Sequence, residues 1–349
     1  MLTLSESKAR IEPYLEKFLK EKVEKAKELH PSYQQLLEEM MRVTLAGGKR
    51  LRPHLVFVGY GSDADEILPV AAAHELLHTA LLVHDDIIDR DIIRHDQPTI
   101  HHQYNTSHYV DHLDNGDDRL HFSTSAAILA GDILISFAYE LLAVADLPAD
   151  ARAAAAATMA QGIFEVAGGE LLDTEAAFVQ TSKDPLLIYK HKTASYSFVS
   201  PLLSGARLSP VHNNEKTIEL LHTYAINAGI AYQIHDDIIG VFGDESVTGK
   251  STTGDLKEGK QTLLMNIFQE KASAEQLRLM IQTFGNALAE TIELLELKNA
   301  IEQSGALKAT AEIEQEYANN ASVAVGQLEN PQLKQHLDEL TALLMKRKS

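Results

Sequence analysis

The stretch ELLHTALLVHDDIID, residues 75–89, decides the fold. Its apolar residues recur at three- and four-residue spacing, the period of an amphipathic helix. It then ends on three aspartates. On a helix, Asp85 and Asp89 lie one turn apart on the same face, with Asp86 beside them. Three carboxylates so close repel one another, and a cation relieves the repulsion. Hard oxygen donors on a rigid helix suit magnesium, which keeps several waters and takes its remaining ligands from substrate phosphates. The same HDDII returns at 235–239, so Asp236 and Asp237 form a second acidic pair, with Gly240 in the position that Asp89 fills in the first copy. In both copies the aspartates interrupt strongly apolar helices, where unpaired carboxylates would cost several kcal/mol. An acidic, solvated helix end is the bland reading of one such motif; two copies in one chain favour a metal site with two walls.

The helical period continues on both sides. It predicts helices over 6–30, 32–45, 66–90, 123–145, 150–181, 186–206, 213–240, 260–270, 274–302, 305–328 and 330–346. No solenoid-type repeat is present. The expected fold is all-α, a large single-domain helical bundle. Two polar segments, 91–122 and 243–260, each follow one HDDII and read as irregular loops at one mouth. The first carries His95, His101, His102, His108, His112 and His121. His108 and His112 have helical i, i+4 spacing that a transition metal could use, but surface histidines on a polar insertion are the simpler reading.

The chain of 349 residues has a formal net charge of −19 and no cysteine. The charge argues against nucleic-acid partners, and the missing thiols exclude disulfides and thiolate metal sites. SAAILAGDILISFAYELLAVADL, 125–147, carries Asp132 and Glu140 and reads as a buried helix rather than a membrane span, which needs about 20 nearly charge-free residues. The N-terminus lacks the apolar core of a signal peptide. A soluble cytoplasmic protein is expected. Against this acidic background the run AGGKRLRP, 46–53, stands out. Lys49, Arg50 and Arg52 beside a helix start at Pro53 make an anion site. Glu75-x-x-His78 and Glu219-x-x-His222 offer a rival, because paired E-x-x-H motifs ligate di-iron centres in helical bundles. That rival leaves both HDDII segments and AGGKRLRP unexplained.

Together these residues resemble the trans-polyprenyl diphosphate synthases. The motifs stand in the family's order: AGGKRLRP, ELLHTALLVHDDIID, GDILIS (131–136), GGELLD (168–173), HKTAS (191–195), YQIHDDIIGVFGD and TGKSTTGDLKEGKQT. The resemblance implies one polyprenyl synthetase domain over 1–349 with a loop insertion near 100–122. It implies an isoprenoid synthase bundle around a central active-site cavity, acting as a homodimer. The implied substrates are isopentenyl diphosphate and an allylic diphosphate, and three magnesium ions arrive with the diphosphate on Asp85, Asp86, Asp89, Asp236 and Asp237. By the same resemblance Lys49, Arg52 and His78 hold isopentenyl diphosphate, with help from Arg50. Arg94, Lys192 and Lys250 hold the allylic diphosphate. Thr193 and Gln233 turn oxygens toward the developing cation, and Lys260 belongs to a closing loop.

Two positions depart from the family pattern. His95 stands where a second arginine normally contacts isopentenyl diphosphate, and histidine is only partly charged near neutrality. Gly240 replaces a frequent third aspartate. Product length in the family depends on side chains below the first acidic motif. Ala80 occupies the place of a bulky floor residue, with Leu77 and Leu81 beside it. That argues against a strict fifteen-carbon product, and the DDIIGVFGD form is similar to that of makers of geranylgeranyl diphosphate. Farnesyl and longer-chain synthases are the neighbouring alternatives. Terpene cyclases share the acidic motif but need no isopentenyl site. Non-catalytic subunits of heteromeric synthases typically lose acidic motifs that are present here.

Overall fold

The structure is a computed structural model and describes residues 2–108, 113, 115–179, 184–243 and 252–346. It is helical, as the period predicts, and its described strands are two residues each. The fold class read from the sequence holds. The chain divides into two compact units. One contains 1–160 and 201–214; the other contains 161–200 and 215–349.

In the first unit, α1 (Leu4–Leu29) begins with a capping box, Thr3 and Glu6 exchanging side-chain and backbone hydrogen bonds. Its buried stripe, Ile11, Leu15 and Leu19, runs at i, i+4 spacing. Helix α2 (Pro31–Leu45) starts on Pro31, whose missing N–H costs nothing at that position. The helical period does not mark α3 (Leu51–Tyr60), because nine of its ten residues are buried and it shows no polar face. α4 (Leu68–Ile88) packs along α6 (Gly116–Val144) and beside α1, α2 and α3. The segment expected to be irregular is partly ordered. It forms a hairpin of β1 (Ile93–Arg94) with β2 (Gln97–Pro98), then α5 (Ile100–Thr106).

Helix α6 corrects the expectation of full burial. Two stretches, Asp65–Ile88 and Gly116–Val144, are long and apolar enough to cross a membrane by length and composition. In the first, 78% of the apolar window is buried, but in α6 only 39% is. One face of α6 packs on α4 and α5 while Ile128, Leu129 and Val144 stay exposed on the other.

The second unit begins within α7 (Ala149–Val179). A short α8 (Pro185–Ile188) leads into a π-helical segment, Tyr189–Val199, that contains HKTAS. Wide π turns concentrate at functional sites. α9 (Ser200–Leu208) follows, and its residues from Pro201 belong to the first unit. α10 (Glu215–Phe242) packs on the π-helical segment and on the helix Ala306–Gly326. The core here joins Ile234, Leu264, Phe268, Leu297 and Ile301. The single helix expected over 274–302 is two, Ala274–Thr283 and Thr291–Gln303. Gly285 at φ 72° turns the chain between them, and Glu290 with Glu293 caps the second.

Candidate active site

AGGKRLRP forms a tight turn with Gly47 at φ 140° and Gly48 at φ 99°, backbone that side-chain-bearing residues rarely adopt. Arg50 follows at φ 54°, a left-handed position that is uncommon for arginine. What holds it there is its own guanidinium. Nη1 donates to Glu75 Oε1 at 2.7 Å, Nη2 to the Thr44 carbonyl at 2.9 Å, and Nε to Glu12 at 3.3 Å. Both partners of the Arg50–Glu75 pair are 3% exposed. Breaking such a pair costs about 3–5 kcal/mol. Arg50 is therefore committed to the turn's interior, a different placement from the substrate contact expected of it. Lys49 is exposed and Arg52 half-buried. His78 lies one helical turn beyond Glu75 on α4. Burial, then the charges of Arg52, Arg94, Arg50 and His95, push its pKa well below the usual histidine range. His78 is a neutral donor surrounded by cations.

At the end of α4, Asp86 points inward, 5% exposed, while Asp85 is half-buried and Asp89 exposed. Arg94 gathers the acidic groups: its Nε bonds Asp86, and its Nη2 reaches Asp85 and Asp91, each at 3.1 Å. Burial raises the Asp86 pKa to about 6; Arg94 opposes that rise, and Asp85 and Asp91 add to it. The motif's histidine anchors the helix. A Cβ on Gly131, in GDILIS, would lie 2.1 Å from the His84 ring, so that glycine admits the ring against α6.

In the second unit the other HDDII is built the same way from different parts. Asp237 points inward, 2% exposed, and Asp236 outward. Tyr189 donates its hydroxyl to Asp237 and accepts from the Leu263 N–H at 2.7 Å. Gln233 Nε2 donates to Asp237 at 2.9 Å, while its Oε1 accepts from Thr193 Oγ1 at 2.8 Å. Burial lifts Asp237 to about 6, against Lys260, Tyr189 and Gln233. Desolvation opposes the charge on Lys260, but Asp237, Asp255 and Asp236 outweigh it and its pKa is raised. His235 holds Glu314 at 2.9 Å.

Two glycines let the π-helical segment reach these places. A Cβ on Gly169 would lie 2.3 Å from the Lys192 nitrogen, and one on Gly229 would lie 2.6 Å from the Ala194 Cβ. The backbones therefore touch, which sets Lys192 on Asp173 at 2.6 Å and Glu170 at 3.0 Å. Sequence reasoning placed Thr193 and Gln233 together by resemblance. It missed Tyr189, Glu170 and Asp173, although the i, i+3 acidic pair within GGELLD was a signal for a cation partner.

Among the described residues, no group of three His, Cys, Asp or Glu side chains converges as a metal cage. Magnesium needs none, since it commonly takes one or two carboxylates and fills its shell with water and phosphate oxygens. The half-buried Asp85 and the exposed Asp89 and Asp236 offer hard oxygen donors, and the residues fit that ion. The E-x-x-H rival loses both halves: Glu75 is held by Arg50, and Glu219 and His222 are exposed. His112 and Lys250 lie outside the described residues. Ala80 and Leu77 are buried, and Leu81 is half-buried.

The family model described as polyprenyl synthetase matches residues 34–301, through both units. The chain belongs to that family, and it is an enzyme of the polyprenyl diphosphate synthase class. It is 29% identical to a geranylgeranyl diphosphate synthase of Sulfolobus acidocaldarius, over 90% of this chain and 92% of that one. It is 31% identical to the enzyme of the same name from Saccharolobus solfataricus, over 83% of each. A crystal structure of geranylgeranyl pyrophosphate synthase from Corynebacterium glutamicum, complexed with isoprenyl diphosphate and magnesium, superposes with TM-score 0.91 at 25% identity. That match covers 99% of this chain and all of the other.

Proposed function

We propose that this enzyme condenses isopentenyl diphosphate with an allylic diphosphate, in the presence of magnesium, to give geranylgeranyl diphosphate. The observation that carries the reading is the common build of the two HDDII helix ends. In each, the second aspartate is buried and tied within its own unit, and the first is the more exposed of the two. The names of the relatives support the twenty-carbon product.

Lys49, Arg52 and the neutral donor His78 hold the isopentenyl diphosphate. Arg94, Lys192 and Lys250 hold the allylic diphosphate, and Lys260 adds charge beside Asp236 and Asp237. Asp85, Asp89 and Asp236, with the buried Asp86 and Asp237 behind them, would hold magnesium, whose charge would favour departure of the diphosphate. The allylic carbon–oxygen bond breaks with its electron pair leaving on the diphosphate. The alkene of isopentenyl diphosphate then bonds to the allylic cation, and the proton lost from the adduct goes to the released diphosphate. Thr193 spends its one hydroxyl proton on Gln233, so its oxygen lone pairs remain to face developing positive charge. Gln233 is fixed in that orientation because its amide nitrogen is engaged by Asp237. No side-chain nucleophile is required.

Purified protein with magnesium, labelled isopentenyl diphosphate and a series of allylic partners should release a twenty-carbon diphosphate, resolved by chromatography. Incorporation that needs no allylic partner would overturn the reading. Ala80→Phe should shift the product to shorter chains, because the ring would fill space at a buried position of α4; an unchanged distribution would sink the chain-length argument.

We also place the enzyme in the cytoplasm and infer a homodimer. On α7, Phe164, Leu171 and Phe178 are 75%, 68% and 71% exposed at seven-residue spacing, three large apolar side chains on one face of the helix. Ile128 and Leu129 add exposed apolar surface on α6. Light scattering should return twice the chain mass of 38.5 kDa; a monomer at micromolar concentration would refute it.

A further inference from the structure

The insertion near 100–122 has no part in the chemistry above, yet His108 from it is largely covered, 16% exposed. Its Nδ1 accepts from Gln35 Nε2 at 2.7 Å, and its Nε2 faces Glu39 Oε1 at 3.3 Å. The tautomer with the proton on Nε2 satisfies both. Glu39 is 9% exposed, and its other oxygen takes Arg42 Nε at 2.9 Å and Nη2 at 2.6 Å. Arg42 Nη2 also donates to the Pro98 carbonyl at 2.9 Å. A continuous relay therefore runs from His108 through Glu39 and Arg42 to β2.

The strand it reaches needs outside support. The hairpin pairs Ile93 with Pro98 and Arg94 with Gln97, and its turn residues His95 and Asp96 sit at φ 50° and 57°. Such a turn favours Gly, Asn and Asp, and histidine accepts the left-handed position at some cost. A ladder of two-residue strands is marginal alone. Thr99 ties its base, donating its N–H to the Ile92 carbonyl at 3.1 Å and its hydroxyl to the Asp91 carbonyl at 2.8 Å. Arg94 and His95, which this hairpin carries, line a crevice with Val43, Ala46, Thr79, Val83 and Asp86.

We propose that His108, Glu39 and Arg42 are positioning residues that brace the hairpin and so set the grip of Arg94 and His95 on diphosphate. The inference rests on the prenyl-transfer reading for the identity of the anion, and on geometry alone for the brace. It assigns the insertion a task, to supply His108 as the outer end of the relay. It also assigns one to Arg42, an arginine that precedes the cationic turn and that spacing does not distinguish from a surface residue.

Arg42→Met and His108→Ala test it with two readouts. Calorimetry with inorganic diphosphate and magnesium should show affinity falling roughly tenfold for Arg42→Met and several-fold for His108→Ala. KM for the diphosphate substrates should rise in step while kcat stays within about twofold, as expected when binding rather than chemistry is lost. Arg42→Lys should recover part of the loss. Hydrogen exchange should quicken across 92–99 in both variants and stay unchanged in α1. If Arg42→Met fails to fold, His108→Ala, at the far end of the relay, decides. Unchanged exchange at 92–99, or quickened exchange with unaltered diphosphate affinity, overturns the proposal. A parent enzyme that turns over no substrate refutes the prenyl-transfer reading instead, and exchange and diphosphate affinity still decide the brace.

Discussion

Asp236→Ala should lower magnesium-dependent turnover by roughly 10³-fold, the loss of several kcal/mol of metal-assisted stabilisation of the leaving group. Its melting temperature should stay within about 2 °C of the parent, as for an exposed substitution. The pairing of those outcomes follows from which way each aspartate points. Asp236 is exposed near the end of α10, so removing it costs a metal ligand and one of three carboxylate charges around Lys260, which Asp237 and Asp255 still face. Asp237 is 2% exposed and receives Tyr189 and Gln233. Asp237→Ala should therefore lose activity and stability together, since each buried donor left without an acceptor costs about 1–3 kcal/mol. Asp85→Ala should behave like Asp236→Ala, although Arg94 then loses one of its three carboxylates. Turnover with inorganic diphosphate release as the readout, alongside thermal melts, separates the classes. An Asp236→Ala enzyme that works at the parental rate would defeat the view that the outward aspartates serve the metal.

What the sequence made legible was whatever local periodicity encodes. α4 was readable because its apolar spacing and its terminal aspartates fall within one stretch of fifteen residues. α3 was not, because a helix buried all round shows no alternation of faces to detect. The same limit governed the site. The spacing of Asp85, Asp86 and Asp89 suffices to put them at one helix end, but it does not say that Asp86 turns in and Asp85 out. Tyr189 meets Asp237, and His108 meets Glu39, across stretches of chain whose intervening residues carry no mark of the contact. Arg50 is the clearest case. In AGGKRLRP it is one of three cations, and only the left-handed backbone after Gly48 sends it inward to Glu75. A run of like charges gives no phase where a turn separates it from the next helix.

Replacing Gly59 or Gly205 by alanine should destabilise the protein by about 3 kcal/mol, the upper part of the usual overpacking range. The two glycines meet reciprocally where α3 crosses α9. A Cβ on Gly59 would lie 2.1 Å from the Leu202 carbonyl oxygen and 2.8 Å from the Ala206 nitrogen. One on Gly205 would lie 2.1 Å from the Val56 oxygen and 2.8 Å from the Tyr60 nitrogen. The obstacles are helical backbone, which cannot rotate aside as a side chain could, so the helices themselves must part. Because one added methyl already forces that separation, the second should cost less, and the double variant should be destabilised by less than the sum of the singles. Urea titration of the three variants measures both statements. A single alanine variant with the parental midpoint would show that the crossing can relax freely. The contact also bears on the site. Arg52 lies in the first turn of α3, and on α9 Ser204 holds His74 of α4 at 2.9 Å, one turn before His78. A helix pushed away from this crossing carries Arg52 with it. The folded fraction of either variant should therefore show a raised KM for isopentenyl diphosphate before it shows any change in kcat.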